Sequence, residues 1–509
     1  LKEPGGSALG DVQQSLSALI NNASAVRAIA GAVEGTIGPK GLDTMLVDRS
    51  GDIVVTNAGV TILDRMDVSH PAARMLINVA RAQHAQVGDG TTTATIMAGV
   101  LVSEGLDHVM KGVPVTRIIQ GMKAGVRQSL EELQKNSVSL RFPDDPLIGR
   151  VALVAGRGDE SVTGGVVQAA RLLGLQRLLD PSFRMKEIII SLEGAEDEVL
   201  DGAVLKKRPV NDAMPGELKD PLILAMEDSL EPDRPAEGSL GTEAGFQMYL
   251  DREKEFDGDV RKLVAMGIRV ILLSRGISEG MEQILTDAGV LVISRIPARQ
   301  MARVCRHTGA VPVKKTGIKG DPSEIQKYLG RASLVKRDTL LGNFHFAGGG
   351  GEPTATFIIG APTEEVAEEK ERIAGDAASA VQAALRSGVV AGGGAAELAV
   401  SRSLLTCRAR LKGMEAFGVD CVIEALKSPM SRIIQNAGFN PLQKVEEVLA
   451  AQAETGNAHL GIDCDTGQVA DMVEAGVVDP ALVKIHALRA ASEVAQAILR
   501  IDTIIKMKE

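Results

Sequence analysis

The run Gly88-Asp89-Gly90-Thr91-Thr92-Thr93 joins residue types that can hold a phosphate. Glycines at 88 and 90 let the backbone bend sharply and approach a ligand. Three threonines opening a helix leave free N–H groups at the positive end of its dipole. Asp89 is out of place beside an anion unless a divalent cation stands between carboxylate and phosphate, as in oxygen-ligated Mg2+–nucleotide sites. The stretch therefore reads as a Mg–nucleotide cradle. It also suits a plain turn in which Asp89 caps the helix, and both readings stand at this point.

Several other chemistries find no support. No G-x-x-x-x-G-K-[ST] phosphate loop occurs, and Gly88-Asp89-Gly90 and Gly156-Arg157-Gly158 are incomplete as dinucleotide fingerprints. The seven histidines form no H-E-x-x-H or H-x-E signature, so zinc chemistry is not expected. A net charge of −10 and only 2% aromatic residues argue against nucleic acid as a partner, because phosphate backbones need cations and bases need stacking platforms. Cys305, Cys407, Cys421 and Cys464 are scattered, with no C-x-x-C pair; they fit a reducing cytoplasm as small buried hydrophobes. No apolar run reaches the roughly 18 residues of a membrane span, and Leu1–Gly10 lacks a signal peptide's apolar segment, so no membrane association is expected.

The elements that must position the cradle follow from periodicity. With 509 residues, and roughly 100–200 per domain, about three domains are expected. From Asp11 the residues Val12, Leu16, Leu19, Ala23, Val26, Ala30 and Val33 step by four and three, which predicts a helix ending near Gly35. Met45–Val47 and Ile53–Val55 predict a hairpin. Helices follow from His70 to Val87, from Thr91 to Lys111 and from Val113 to about Lys135. In the middle, strands at Leu222–Leu224, Val270–Leu273 and Val290–Ile293 alternate with helical patterns at Ser278–Ala288 and Ala298–His307, an α/β domain. A strand at Thr354–Ile359 and a helix at Thr363–Ser387 lead to Ala391-Gly392-Gly393-Gly394 and further helices. Both ends are helical and rich in Ala, Val and Ile, so they are expected to fold together around an inserted middle. Within the middle, Leu230–Lys262 is punctuated by Pro232, Pro235, Gly238, Gly241 and Gly245 and carries Phe246, Met248, Tyr249, Leu250 and Phe256. So long a loop is usually functional. It reads as a mobile arm whose exposed apolar groups meet another protein chain, with a packed hairpin as the competing reading.

Six motifs, in order along the chain, resemble the chaperonins: Thr36–Asp43 (TIGPKGLD), Thr56–Leu63 (TNAGVTIL), Val87–Ala94 (VGDGTTTA), Glu371-Arg372 with Asp376-Ala377, Ala391–Gly394 and Gly476–Pro480 (GVVDP). Ile462–Gly467 and Ala497–Asp502 resemble the group II, thermosome-like branch, which also occurs in some bacteria. The resemblance covers essentially the whole chain. It implies a multi-domain subunit: a mostly α equatorial domain from 1–138 and 389–509, a small α/β intermediate hinge domain from 139–206 and 354–388, and an α/β apical domain at 207–353. The arm at about 230–262 would be a built-in lid, short and glycine-rich for the group, and no separate lid co-chaperonin is expected. Such subunits self-associate into two stacked cytoplasmic rings, enclose non-native client proteins and use ATP with Mg2+.

By the same resemblance, Gly38, Pro39, Gly59 and the Gly88–Thr93 turn wrap the triphosphate with Asp89 on Mg2+. Gly393 and Asp463 lie at the nucleotide, Asp479 holds ribose or base, and Asp376 orients the attacking water once its domain swings down. Without the resemblance, Asp376 is a solvent-facing helix carboxylate. Arg157 stands where related chains often carry a lysine that senses the γ-phosphate, exchanging a point donor for a planar fork. Ala58 stands where the family has an aspartate beside the catalytic water, and a methyl can neither accept a proton nor polarise water. The chain is therefore expected to bind ATP and hydrolyse it slowly, either as an altered, trapped form or, alternatively, as a natural chain relying on Asp376 alone. A reading from another class, a soluble nucleotide-dependent metabolic enzyme, would need convergent His, Asp and Lys in the middle domain, and no such cluster is apparent there.

Overall fold

The computed structural model of the chain describes residues 6–48, 51, 53–232, 243–338 and 342–503. Its helices are α1 Gly6–Glu34, α2 Gly59–Arg65, α3 Pro71–Gln86, α4 Thr91–Met110, α5 Val115–Lys135, α6 Pro146–Ala155, α7 Glu160–Leu179, α8 Glu243–Ala265, α9 Glu279–Asp287, α10 Ala298–Thr308, α11 Pro322–Ile325, α12 Glu364–Ser387, α13 Ala395–Arg410, α14 Ala416–Asn436, α15 Pro441–Thr455 and α16 Ala481–Leu499. Two compact units divide the chain. One takes residues through Val167, Leu178–Lys186 and everything from Arg372; the other takes Gln168–Arg177 and Glu187–Glu371.

The first unit is helical and draws on both ends of the chain. Its core joins Leu19, Val26 and Val33 of α1, Leu76 of α3, Met97 and Leu101 of α4, and Met122 of α5 to Val422 and Leu426 of α14 and Leu488 and Ala495 of α16. These residues recur every three or four positions, so each helix turns one stripe inward. The helices α5 and α14 approach until their backbones touch: a Cβ on Gly121 would lie 1.8 Å from the Glu415 carbonyl oxygen. Leu16–Glu34 is long and apolar enough by composition to cross a membrane, contrary to the sequence expectation that no run reaches that length. Leu19, Ala23, Val26, Ile29 and Val33 are buried in the helical core, which makes this a core helix. Two short strands, β1 Thr44–Val47 and β2 Ile53–Thr56, form the predicted hairpin in antiparallel register.

The second unit is built on sheets. The strands β3 Ile189–Glu193 and β4 Glu198–Asp201 flank a later strand, Ala355–Ala361, parallel and antiparallel respectively. A larger sheet contains β5 Ala203–Leu205, β6 Glu217–Lys219, β7 Leu222–Met226, β8 Ile268–Leu273, β9 Leu291–Ile293, β10 Gly330–Asp338 and β11 Asn343–Gly349, in the order β5-β11-β10-β7-β8-β9 with β6 on β10. Its β7-β8-β9 part is parallel. Those three strands are almost wholly buried, which is why they read in sequence as short continuous apolar runs.

The arm at 230–262 is corrected in part. Residues 233–242 and the side chain of Phe246 lie outside the described residues, but from Glu243 the chain is the long helix α8 and not a loop or hairpin. Phe256, expected on an exposed arm, is 4% exposed and packs with Val260 and Leu263 into the core of the sheet unit. Positions 256, 260 and 263 are a helical stripe, masked in sequence by the glycines and prolines upstream. Tyr249 and Leu250 are half-buried, and Met248 is 53% exposed. Phe256→Ala should therefore lower the unfolding free energy by about 3–5 kcal/mol in denaturant titrations. A residue on a free arm would leave the midpoint where it was.

Candidate nucleotide site

The Gly88–Gly90 turn sits between three helices of the helical unit. Gly88 has φ +84°, and a Cβ there would meet Ser379 Cβ of α12 at 2.4 Å, so only glycine fits both the conformation and the space. Gly90, also at positive φ, lies against Val483 of α16. Gln83 of α3, fully buried, donates from Nε2 to the carbonyls of Asp89 (2.8 Å) and Val483 (3.2 Å). Its oxygen must then accept, so His486 Nδ1, at 2.6 Å, carries the hydrogen. The helix α4 begins immediately after Gly90, its N-cap, which has no side chain to cap the first turn. Asp89 accepts from the Gly90 amide, and this helix has Gly90 as its N-cap; the plain capping role for Asp89 is thus not what the fold uses.

Other predicted residues converge here. Gly59 lies against Thr91 and Thr92, a Cβ on it falling 2.5 Å from Thr92 Oγ1. Ala58, 9% exposed, is the N-cap of α2 in an extended conformation, and its amide donates to Thr56 Oγ1. Arg372, one turn before Asp376 on α12, donates to that same Thr56 hydroxyl (2.7 Å) and to Thr61 Oγ1 (3.2 Å), which fastens the Ala58 loop to the helix carrying Asp376. Asp479, in β16 Val478–Pro480, pairs with Val390 of β13 Val389–Ala391; the Gly393-Gly394 loop then leads into α13.

Charge concentrates around the turn. Burial first, and the neighbouring Asp89 second, push the Asp376 carboxyl up to about 7, against the opposing charges of Arg157, Arg372 and Lys186. Asp376 keeps some accessible surface, so it stands in a cleft and not in a sealed core, nor on an open helix face as sequence alone suggests. Asp89 is raised by burial and then by Asp479, and relieved by the Gly90 amide, Lys484 and Arg157. Lys484 sits between Asp479 and Glu397, 2.7 Å from each. Burial opposes its charge, but the two carboxylates outweigh burial and hold it above the ordinary lysine range. Asp89, Asp376, Asp479, Arg157 and Lys484 thus act on one another within a single region.

The remaining predicted residues are placed differently. Gly38 and Pro39 form a turn at the end of α1, with Gly38 against Ile433 of α14. Asn436 of α14 donates to the carbonyls of Glu34 and Ile37, both at 2.9 Å, and fixes that turn. Asp463 gives both carboxylate oxygens to its own loop, accepting from the Asp465 amide and the Thr466 hydroxyl at 2.8 Å each. It caps the turn between β14 Leu460–Ile462 and β15 Val469–Asp471, and an ion pair of Lys40 with Asp465 at 2.6 Å ties that loop to the Gly38-Pro39 turn. Sequence reasoning missed Gln83, Lys484, Glu397 and Asn436. Each is a polar residue on a helix face that reads as core, and that mismatch was the available signal.

A model of the TCP-1/cpn60 chaperonin family matches residues 29–509. The chain belongs to that family. It is 34% identical to a thermosome subunit of Pyrococcus abyssi over 503 residues, covering 95% of this chain and 90% of that one. A thermosome subunit beta of Archaeoglobus fulgidus is 35% identical over 506 residues, covering 96% and 91%. A solved group III chaperonin in the open state superposes with a TM-score of 0.89 at 43% identity, covering 97% of this chain and 100% of that one. The fold is accordingly a chaperonin fold, with a helical equatorial domain and sheet-containing intermediate and apical domains.

The carboxyl of Asp376 makes a stability prediction. In the folded chain it keeps its proton up to about pH 7, whereas an unfolded aspartate releases it near 3.9. Its contribution is full below the unfolded value and is lost as the pH rises through the folded one. Asp376→Asn, which cannot ionise, should melt above the parent at about pH 8, by a margin that vanishes toward about pH 4. Thermal melts across that range test this, and a margin independent of pH would contradict it.

Proposed function

We propose that this chain is an ATP-dependent chaperonin subunit whose helical unit carries the nucleotide. The observation behind this reading is the meeting of Asp89, Asp376 and Asp479 beside the uncapped start of α4, in a chain of the chaperonin family. The backbone of Gly38-Pro39 and of Gly88–Thr93 binds phosphate oxygens, Gly59 and Gly393 permit close approach, and Asp479 holds the ribose or base. Among the described residues no three acidic, His or Cys side chains form a metal cluster. Mg2+ would be held by Asp89 with phosphate oxygens as its other ligands, which is how that ion is usually held beside nucleotides. When bound it would neutralise phosphate charge.

Asp376, raised to about 7, is suited to accept a proton near neutral pH and to orient the attacking water, with Arg157 facing the γ-phosphate. Residues 139–206 and 354–388 act as the hinge domain, and 207–353 receive non-native client proteins, with the exposed Met248 of α8 among the contacts. Self-association is supported by the β1–β2 hairpin, where Met45, Val47, Ile53 and Val55 are 49–62% exposed on one face of a two-stranded sheet. A second copy would cover that face. The four cysteines are all free, in keeping with a reducing cytoplasm. Native-mass measurement should find an assembly of many subunits; a stable monomer or dimer would count against the rings.

Ala58 makes hydrolysis slow. Ala58→Asp places a carboxylate next to Gly59, the residue that packs against Thr91 and Thr92, at an extended N-cap position where aspartate is favoured. Phosphate release at saturating ATP and Mg2+ should rise by about 10²–10⁴ in the variant. A parent that already turns over rapidly, with no change on substitution, would refute this.

A further inference from the structure

On the Gly393 side of the candidate nucleotide site, the backbone around Asp479 is fixed by main-chain contacts. The Gly392 amide donates to the Val477 carbonyl at 2.9 Å, and the Ala481 amide donates to the Gly388 carbonyl at 3.0 Å. Asp479 itself pairs with Val390 across β13 and β16. What directs its carboxylate is a side chain. Lys484, in the first turn of α16, sets its Nζ 2.7 Å from Asp479 Oδ2 and 2.7 Å from Glu397 Oε1.

The three members of this chain differ in exposure. Glu397 lies in the first turn of α13, directly after the Gly392–Gly394 loop, and its side chain has no exposed surface. Its Oε2 has no hydrogen-bond partner among the described residues, so the ammonium is what balances it. The Lys484 side chain is 7% exposed, whereas Asp479 keeps 20% and can still reach a ligand. Stability alone does not call for such an arrangement, because replacing a buried ion pair by apolar groups of similar volume is often neutral or favourable. The charges add direction: an ammonium braced from behind by α13 fixes where the Asp479 carboxylate stands relative to the glycine loop.

We propose that Lys484 is a positioning residue for the sugar of the nucleotide: braced by Glu397, it holds the Asp479 carboxylate where the ribose hydroxyls donate to it. This rests on the reading that Asp479 holds the ribose, and Lys484 acts there through Asp479. A carboxylate free to swing loses the hydroxyls first, since a hydrogen bond depends steeply on distance and angle, and the phosphate contacts at Gly88–Thr93 are left in place.

The test is calorimetric titration of the full chain with ADP and with 2′,3′-dideoxy-ADP, each at saturating Mg2+. The parent is compared with Asp479→Asn and with the double variant Glu397→Leu, Lys484→Met, which removes the buried pair together and is checked for a parent-like thermal melt. The parent should bind ADP about tenfold more tightly than the dideoxy analogue, which leaves the carboxylate without its donors. Asp479→Asn should weaken that preference severalfold. The double variant should cut it to about twofold while its affinity for the dideoxy analogue stays close to the parent's. A purely structural pair would instead weaken both ligands alike and leave the preference as it was. If the double variant does not fold, Lys484→Gln, whose shorter neutral amide cannot span both carboxylates, should lower the preference in the same direction. A parent-like preference in these variants overturns the role of Lys484 alone. A parent with no preference, or a preference untouched by Asp479→Asn, marks the failure of the ribose reading, and the proposal falls with it.

Discussion

The contact between Gly88 and Ser379 is the constraint on which the helical unit's candidate site rests. Gly88 meets the Ser379 side chain there with no space for a Cβ, which sets the turn before α4 directly against α12. Gln83 completes the arrangement from below the turn, joining the Asp89 carbonyl to α16 through buried donors that cannot go unpaired without a cost of about 1–3 kcal/mol. The large apolar core beneath supplies the rigidity. Within one close-packed body, small displacements of α3, α12 or α16 are resisted by their neighbours.

That rigidity lets like charges remain together. Asp89 repels both Asp376 and Asp479, and burial already disfavours the ionised forms of Asp89 and Asp376. Lys484 relieves part of the strain by bridging Asp479 and Glu397, and Arg157 and Arg372 relieve another part. Two of the groups that meet there, Asp89 and Asp376, are held above the ordinary carboxylate range, a displacement that clusters at functional sites. Ala58, at the start of α2, adds no charge to this cluster.

The elements with strong periodicity were legible in the sequence. The helix of Leu19, Val26 and Val33, the hairpin around Gly51, and the strands Leu222–Met226, Ile268–Leu273 and Leu291–Ile293 all follow patterns that the structure keeps. The long strands Gly330–Asp338 and Asn343–Gly349 were not anticipated, because their apolar positions are interrupted by charge and glycine and gain meaning only by pairing with each other. Phe256 misled for the opposite reason. Its surroundings in sequence are charged, but the side chain turns toward Val260, Leu263 and the sheet.

The Gly88–Gly90 turn and the helix start after it were legible because glycines, an aspartate and threonines in sequence carry their own backbone geometry and dipole. The sequence by itself determined these local features: where chains turn, which stripes turn inward, and the motifs of the chaperonin family. Only the tertiary structure decided that Asp376 stands in a charged cleft, that Asp463 serves its own loop, and that Lys484 divides its charge between two carboxylates. Those properties depend on distances between residues up to hundreds of positions apart, and such distances are set by packing, which no local pattern encodes.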